Sequence, residues 1–113
     1  RRWKKVNDKF LSLLGMARRS GKLSTGHDAV ISSVVKNKAK LVILSSEGSD
    51  RLKREITHAC SYGGKNIPVL FTEYTTGELS KAIGIKAAVI SVDDEGFAKA
   101  ATDKYMNNSD RKD

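Results

Sequence analysis

Cysteine, proline, histidine and long apolar runs are all scarce in this chain of 113 residues. The single cysteine, Cys60, has no intrachain disulfide partner, so the fold must rest on packing, and a reducing, cytoplasmic setting is expected. No apolar run approaches the roughly 18 residues that would span a bilayer, so no membrane role is expected. The basic start Arg1–Lys5 followed by Phe10–Ala17 imitates a signal peptide. Asn7, Asp8 and Lys9 interrupt it and Arg18-Arg19 close it, which fits an amphipathic helix better.

The two histidines and the cysteine do not cluster. His58 and Cys60 stand two apart on an expected helix and diverge, and His27 is remote, so no metal site is expected. Gly15–Lys22 looks at first like a phosphate-binding P-loop. Five residues rather than four separate Gly15 from Gly21, and Leu23 stands where Ser or Thr is required, which rejects that motif. No Ser or Cys sits in a nucleophile elbow or beside a base, and Asp93-Asp94-Glu95 reads as the acidic first turn of a helix. A protein without cofactor, metal or enzymatic activity is expected.

What is present is charge, unevenly placed. The net charge of +8 divides into +7 over residues 1–22, +3 over residues 23–65 and −2 over residues 66–113. A chain with a basic end and an acidic end carries an electrostatic footprint suited to nucleic acid. Its length suits one domain, expected over residues 8–106, between a basic tail at 1–7 and a polar tail at 107–113. The densest polar feature is Ala17–Asp28, which combines Arg18, Arg19 and Lys22 with Gly21, Gly26 and three hydroxyls ahead of a helix start. Cations hold phosphates, glycines let a backbone approach closely, and a helix start offers unpaired N–H groups to an anion.

Along the chain, Asn7 or Asp8 caps a first helix with Phe10, Leu11, Leu14 and Ala17 on one face. Leu23–Thr25 reads as an extended link, and Ser24 or Thr25 as the cap of a second helix with Val30, Ile31, Val34 and Val35 inward. Leu41–Leu44 is a strand covered on both faces. Ser49 or Asp50 caps a third helix with Leu52, Ile56, Ala59 and Cys60 inward and an Arg51–Glu55 pair, ending at Gly63-Gly64. The only proline, Pro68, opens the strand Val69–Phe71. Thr75 and Glu78 have capping-box spacing for a short helix that stops at Gly84. Ala87–Val92 is an apolar strand, and Asp93 or Asp94 opens a last helix carrying Phe97, Ala101 and Tyr105. Helices alternating with short apolar strands predict an α/β protein, a three-layer α/β/α sandwich around a small parallel or mixed sheet.

Three stretches then resemble one family. They are Arg18–Lys22 with Thr25-Gly26-His27-Asp28, the strand Ala39–Ser45, and Asn66-Ile67-Pro68-Val69 leading to Glu78–Ile85 and Ala87–Val92. In this order, over about residues 8–100, the chain is similar to the ribosomal L7Ae/L30e family, and most of all to its short bacterial members. The resemblance implies a mixed four-stranded sheet and binding of structured RNA, often a kink-turn, with ribosomal RNA or ribosomal proteins as partners of a monomer. It implies contacts from Arg18, Arg19, Lys22, Ser24, Thr25, Gly26, His27, Asp28 and Ser32, and from a second loop, Tyr74-Thr75-Thr76-Gly77. Departures from the family pattern are Asp28, Ala29 and Ser32 on the helix and the whole second loop. Ionised Asp accepts hydrogen bonds and repels phosphate, Ala29 makes no polar contact, and Tyr74 either stacks on a base or packs in the core. A protein-interaction module on the same fold is the alternative to RNA binding.

Overall fold

The structure, a computed structural model, describes residues 8–110, so the basic segment 1–7, with Asn7, and residues 111–113 lie outside the described residues. Helix α1 (Lys9–Arg19) starts at Asp8, whose Oδ1 accepts the Leu11 N–H at 3.0 Å. It is followed by β1 (Leu23–Thr25), α2 (His27–Val35), β2 (Leu41–Leu44), α3 (Asp50–Ser61) with a 3₁₀ turn at Tyr62–Gly64, β3 (Val69–Phe71), α4 (Thr76–Ile83), β4 (Val89–Val92) and α5 (Glu95–Asp110). The sheet order is β1-β4-β2-β3, with β4 antiparallel to both neighbours and β2 parallel to β3.

Every residue of β2 and β4 is buried, as their unbroken apolar sequences require. On one face Phe10, Leu13 and Leu14 of α1, Leu79 and Ile83 of α4 and Ala98 and Ala101 of α5 pack on Leu41, Ile43, Ile90 and Val92. On the other, Val30 and Val34 of α2 and Ile56 and Cys60 of α3 pack on Val42, Leu44 and Val89. The result is an α/β/α sandwich. Burial pushes the Cys60 thiol pKa up, as fits a small inert core side chain.

Local signals hold where the partner is close in sequence. Ser49 Oγ caps α3 by accepting the Leu52 N–H at 3.0 Å, and Thr75 with Glu78 forms the capping box of α4, which ends at Gly84. Pro68 precedes β3 and uses only its carbonyl, which accepts the Val42 N–H at 3.0 Å. Four readings change. Leu23–Thr25 is an edge strand and not a link, because it pairs with Ile90–Val92. Neither Ser24 nor Thr25 caps α2, whose cap is Gly26. The inward stripe of α2 is Val30, Ser33 and Val34, while Val35 is 63% exposed. The last helix continues to Asp110, into the segment read as a polar tail.

The cap of α5 also resolves. Asp94 Oδ2 accepts the Phe97 N–H at 2.9 Å, which frees Asp93 for another task. Asp93 Oδ2 accepts Ser24 Oγ at 2.6 Å, and its Oδ1 accepts Ser33 Oγ at 2.7 Å and Ser91 Oγ at 2.8 Å. One carboxylate thereby ties β1, α2 and β4 together. Hydrogen bonds to a charged group contribute about 1.5–3 kcal/mol each before sharing and partial exposure reduce them. Asp93→Ala is therefore expected to lower stability in urea by about 2–4 kcal/mol. Each of Ser24→Ala and Ser33→Ala should cost about 1 kcal/mol. A loss for Asp93→Ala no larger than for one serine would refute the shared role.

Candidate nucleic-acid interface

The strand pairing sorts the loops into two ends. The C-terminal ends of β1, β2 and β3 and the start of β4 lie together, since Thr25 pairs with Ile90 and Leu44 with both Val89 and Phe71. At this end the Gly26 N–H donates to Val89 O at 3.0 Å, Ser45 N–H to Ala88 O at 2.9 Å and Ser46 N–H to Tyr74 O at 2.7 Å. Thr76 N–H donates to Glu47 Oε1 at 2.9 Å, and its Oγ1 lies 3.0 Å from Ser45 Oγ. The α2 start and the Tyr74–Gly77 loop thus share one end of the sheet, joined by the loop after β2.

Gly26 has φ 91° and ψ 161°, a conformation open essentially to glycine alone. A Cβ there would meet nothing within 4 Å, so the backbone angle and not internal crowding calls for glycine. No side chain caps α2. The N–H groups of His27, Asp28 and Ala29 belong to the first turn, which has no intrahelical acceptor. This end of the helix, with its positive dipole, is bare toward solvent.

Beside it, His27 Nδ1 lies 2.9 Å from Asp28 Oδ1 and Nε2 lies 2.9 Å from Glu55 Oε1. Only the imidazolium can donate from both nitrogens. Hydrogen bonding to Asp28, then to Glu55, raises the His27 pKa above its ordinary 6.5. Glu55 also faces Arg51, at 3.5 Å, as its spacing predicts. Its contact with His27 has no local signal, because the two residues lie on different helices.

The remaining expected residues divide. Asp28 is fully exposed, and Ser32 is half-buried one turn further along α2. Ser24 turns its hydroxyl to Asp93, and Thr75 spends its own on the Glu78 N–H at 3.0 Å. Tyr74 is a packed tyrosine: it stacks on Phe10 with centroids 5.4 Å apart, and its hydroxyl donates to Asp8 Oδ2. Base stacking by Tyr74 is thereby set aside.

Arg18, Arg19 and Lys22 lie at the other end of β1. Lys22 O accepts the Asp93 N–H at 2.8 Å, beyond the last residue of β4. Four extended residues of about 3.3 Å each put Lys22 roughly 13 Å from Gly26. The segment closes α1: Gly21 N–H donates to Arg18 O at 3.0 Å and Lys22 N–H to Ala17 O at 2.9 Å. Two arginines in the last turn also suit the negative end of a helix dipole. Arg18, Arg19 and Lys22 are near Gly26 in sequence but not in space.

The sequence model of the ribosomal protein L7Ae/L30e/S12e/Gadd45 family matches residues 8–102. The chain is 33% identical over 91 residues to RNA-binding protein YlxQ of Enterococcus faecium, covering 80% of this chain and 85% of that protein. It is 34% identical over 90 residues to RNA-binding protein YlxQ of Bacillus subtilis strain 168, covering 79% and 87%. A solved protein of unknown function from Bacillus halodurans superposes with a TM-score of 0.81 at 35% identity, covering 88% of this chain and 98% of that one. A 15.5 kDa RNA-binding protein of Giardia lamblia shares the fold at a TM-score of 0.69 and 18% identity, covering 88% and 84%.

The His27 bridge gives a pH dependence with a definite sign. Its folded pKa is raised, so its contribution to stability is full below the unfolded value near 6.5 and fades as pH rises through the folded value. Wild type is expected to lose stability relative to His27→Gln as pH rises above about 6.5, with an NMR-titrated His27 pKa above the free-histidine value. A His27 pKa at or below that value would disprove the bridge.

Proposed function

The chain belongs to the ribosomal protein L7Ae/L30e/S12e/Gadd45 family, and on that footing we propose that it is a small, non-enzymatic protein that binds structured RNA through the start of α2. The observation that carries the reading is the bare first turn behind Gly26, held open by a backbone conformation that costs a side chain its ease there. The names of the two curated relatives support RNA as the ligand class.

The chemistry at this end suits base edges better than a phosphate ladder. The first-turn N–H groups donate to a phosphate or to a base acceptor. Asp28, exposed and steadied by His27, accepts a guanine N–H such as those presented by sheared G·A pairs in a kink-turn. Asp28, Glu47 and Glu55 repel a continuous backbone track, so unpaired or bent RNA, in ribosomal or other transcripts, is the proposed target over plain duplex. The same carboxylates favour a second reading, a basic protein segment docked on this end.

Titration of the labelled protein with a kink-turn hairpin, a plain duplex and a single strand tests this. Shifts centred on Gly26–Ala29 with the kink-turn hairpin are expected, and no shift there with any RNA would leave the protein-partner reading standing. Gly26→Ala and Gly26→Glu impose the same backbone strain, about 1–3 kcal/mol. Only the second puts a bulky charge on the surface. Gly26→Glu should bind at least roughly tenfold more weakly than Gly26→Ala, about 1.4 kcal/mol. Equal affinities would exclude the α2 start from the interface.

A further inference from the structure

We propose that the opposite end of the sheet is a second RNA contact, formed by Lys36, Lys38, Lys40 and Lys65 with the exposed ring of Tyr62. It rests on the reading of RNA as the ligand class and places most of the phosphate contact away from the α2 start.

Two acid-free stretches meet there. Residues 29–46 hold three lysines and no Asp or Glu, and residues 56–72 hold Lys65 and no Asp or Glu. They are joined by Lys65 Nζ donating to Asn37 Oδ1 at 2.6 Å, which leaves two ammonium donors of Lys65 for a ligand. Lys36, Lys38 and Lys40 are exposed, and Lys40 N–H is fixed to Val92 O at 2.8 Å. Lys22 flanks the patch across the end of β4, because its carbonyl accepts the Asp93 N–H at 2.8 Å. The nearby Asp93 carboxylate accepts from three serine hydroxyls, which are neutral and do not offset it.

Helix dipoles alone do not account for this charge. The C-termini of α1, α2 and α3 fall at this end, and each carries the equivalent of about half a negative charge. Against these stand Arg18, Arg19, Lys22, Lys36, Lys38, Lys40 and Lys65, offset in part by Asp93, Asp94 and Glu95 where β4 gives way to α5. Seven cations against three carboxylates and three helix ends leave the balance positive.

Tyr62 makes RNA the better match than an acidic peptide. It is 66% exposed, its ring pairs among the aromatic pairs of the described residues only with the tilted ring of His58, centroids 5.3 Å apart, and it directly precedes Gly63-Gly64 and Lys65. Gly63 and Gly64 both have positive φ, and a Cβ on either would meet nothing within 4 Å. A nucleic-acid backbone can therefore approach the turn closely. Dispersed lysines beside one open aromatic face are the elements of a stacking platform on a phosphate track.

The test uses the full chain with a short oligouridylate, a kink-turn hairpin, polyglutamate and anionic phosphatidylserine vesicles. Oligouridylate should shift the amides of Lys36–Lys40 and Tyr62–Lys65 in the wild type. Lys38→Gln with Lys40→Gln should weaken it by roughly tenfold at low salt and lower its salt slope by about 1.4, at about 0.7 per lost phosphate contact. Tyr62→Ala should weaken it by roughly tenfold through lost stacking. Unchanged affinity and slope in both variants, or tighter binding to polyglutamate or vesicles than to RNA, would overturn the proposal. If the lysine variants lose RNA while Gly26→Glu does not, the far end stands and the α2 reading falls. If only Gly26→Glu loses it, the reverse holds.

Discussion

The pairing of β2 with β4 is the constraint from which the other features follow. Both strands are buried at every position, so both faces of the sheet must be covered by helices. Polar chemistry is then confined to the two ends of the sheet. Because β4 runs antiparallel to β1 and β2, the start of β4 meets the ends of its neighbours. That one fact gathers the α2 start, the loop after β2 and the loop before α4 at one end. It also sends the turn after α1, the turn after α2 and the turn after α3 to the other.

Asp93 is the polar fastening on this apolar frame. Its carboxylate joins a strand at the sheet edge, a helix on one face and the central strand that precedes it. Edge strand β1 is only three residues long and half-buried, too short to be held by packing alone. The serine bonds to Asp93 and the ladder to β4 fix its register, and β1 in turn sets the backbone of Gly26. The geometry of the bare helix start therefore depends on a carboxylate beyond the end of β4, bonded to the middle residue of β1. Ser33, a polar residue on the inward face of α2, is explained by the same bond.

The legible parts of the sequence are those whose causes are local. The Thr75–Glu78 box, the Ser49 cap, Pro68 at a strand start and the apolar runs of β2 and β4 each carry their reason within a few residues. Ser24 looked like a helix cap because Ser favours that position, but its partner lies 69 residues away. Val35 continued the apolar spacing of α2, yet Ser33 took the inward place once Asp93 was there to receive it. Arg18–Gly26 reads as one continuous polar segment, but three of its residues are a strand, so its two ends lie apart. An extended strand separates its ends by more than a side chain's reach, whereas a loop would not.

That separation changes how the net charge of +8 bears on function. At the α2 start the described charges are mixed, with Asp28, Glu47 and Glu55 set against His27 and Arg51. A surface of that kind discriminates, because each carboxylate rejects a phosphate and accepts a base N–H. The cations instead collect around the ends of α1, α2 and α3, where the two stretches that meet hold no Asp or Glu, with Asp93, Asp94 and Glu95 beside them at the end of β4. Long-range attraction follows the larger, less compensated charge and is screened beyond about 8–10 Å at ordinary ionic strength. The two ends, separated by the length of β1 and its flanking turns, therefore act nearly independently in salt. On the two proposals, attraction and discrimination belong to different ends of one small sheet, and a loss of one need not carry the other with it.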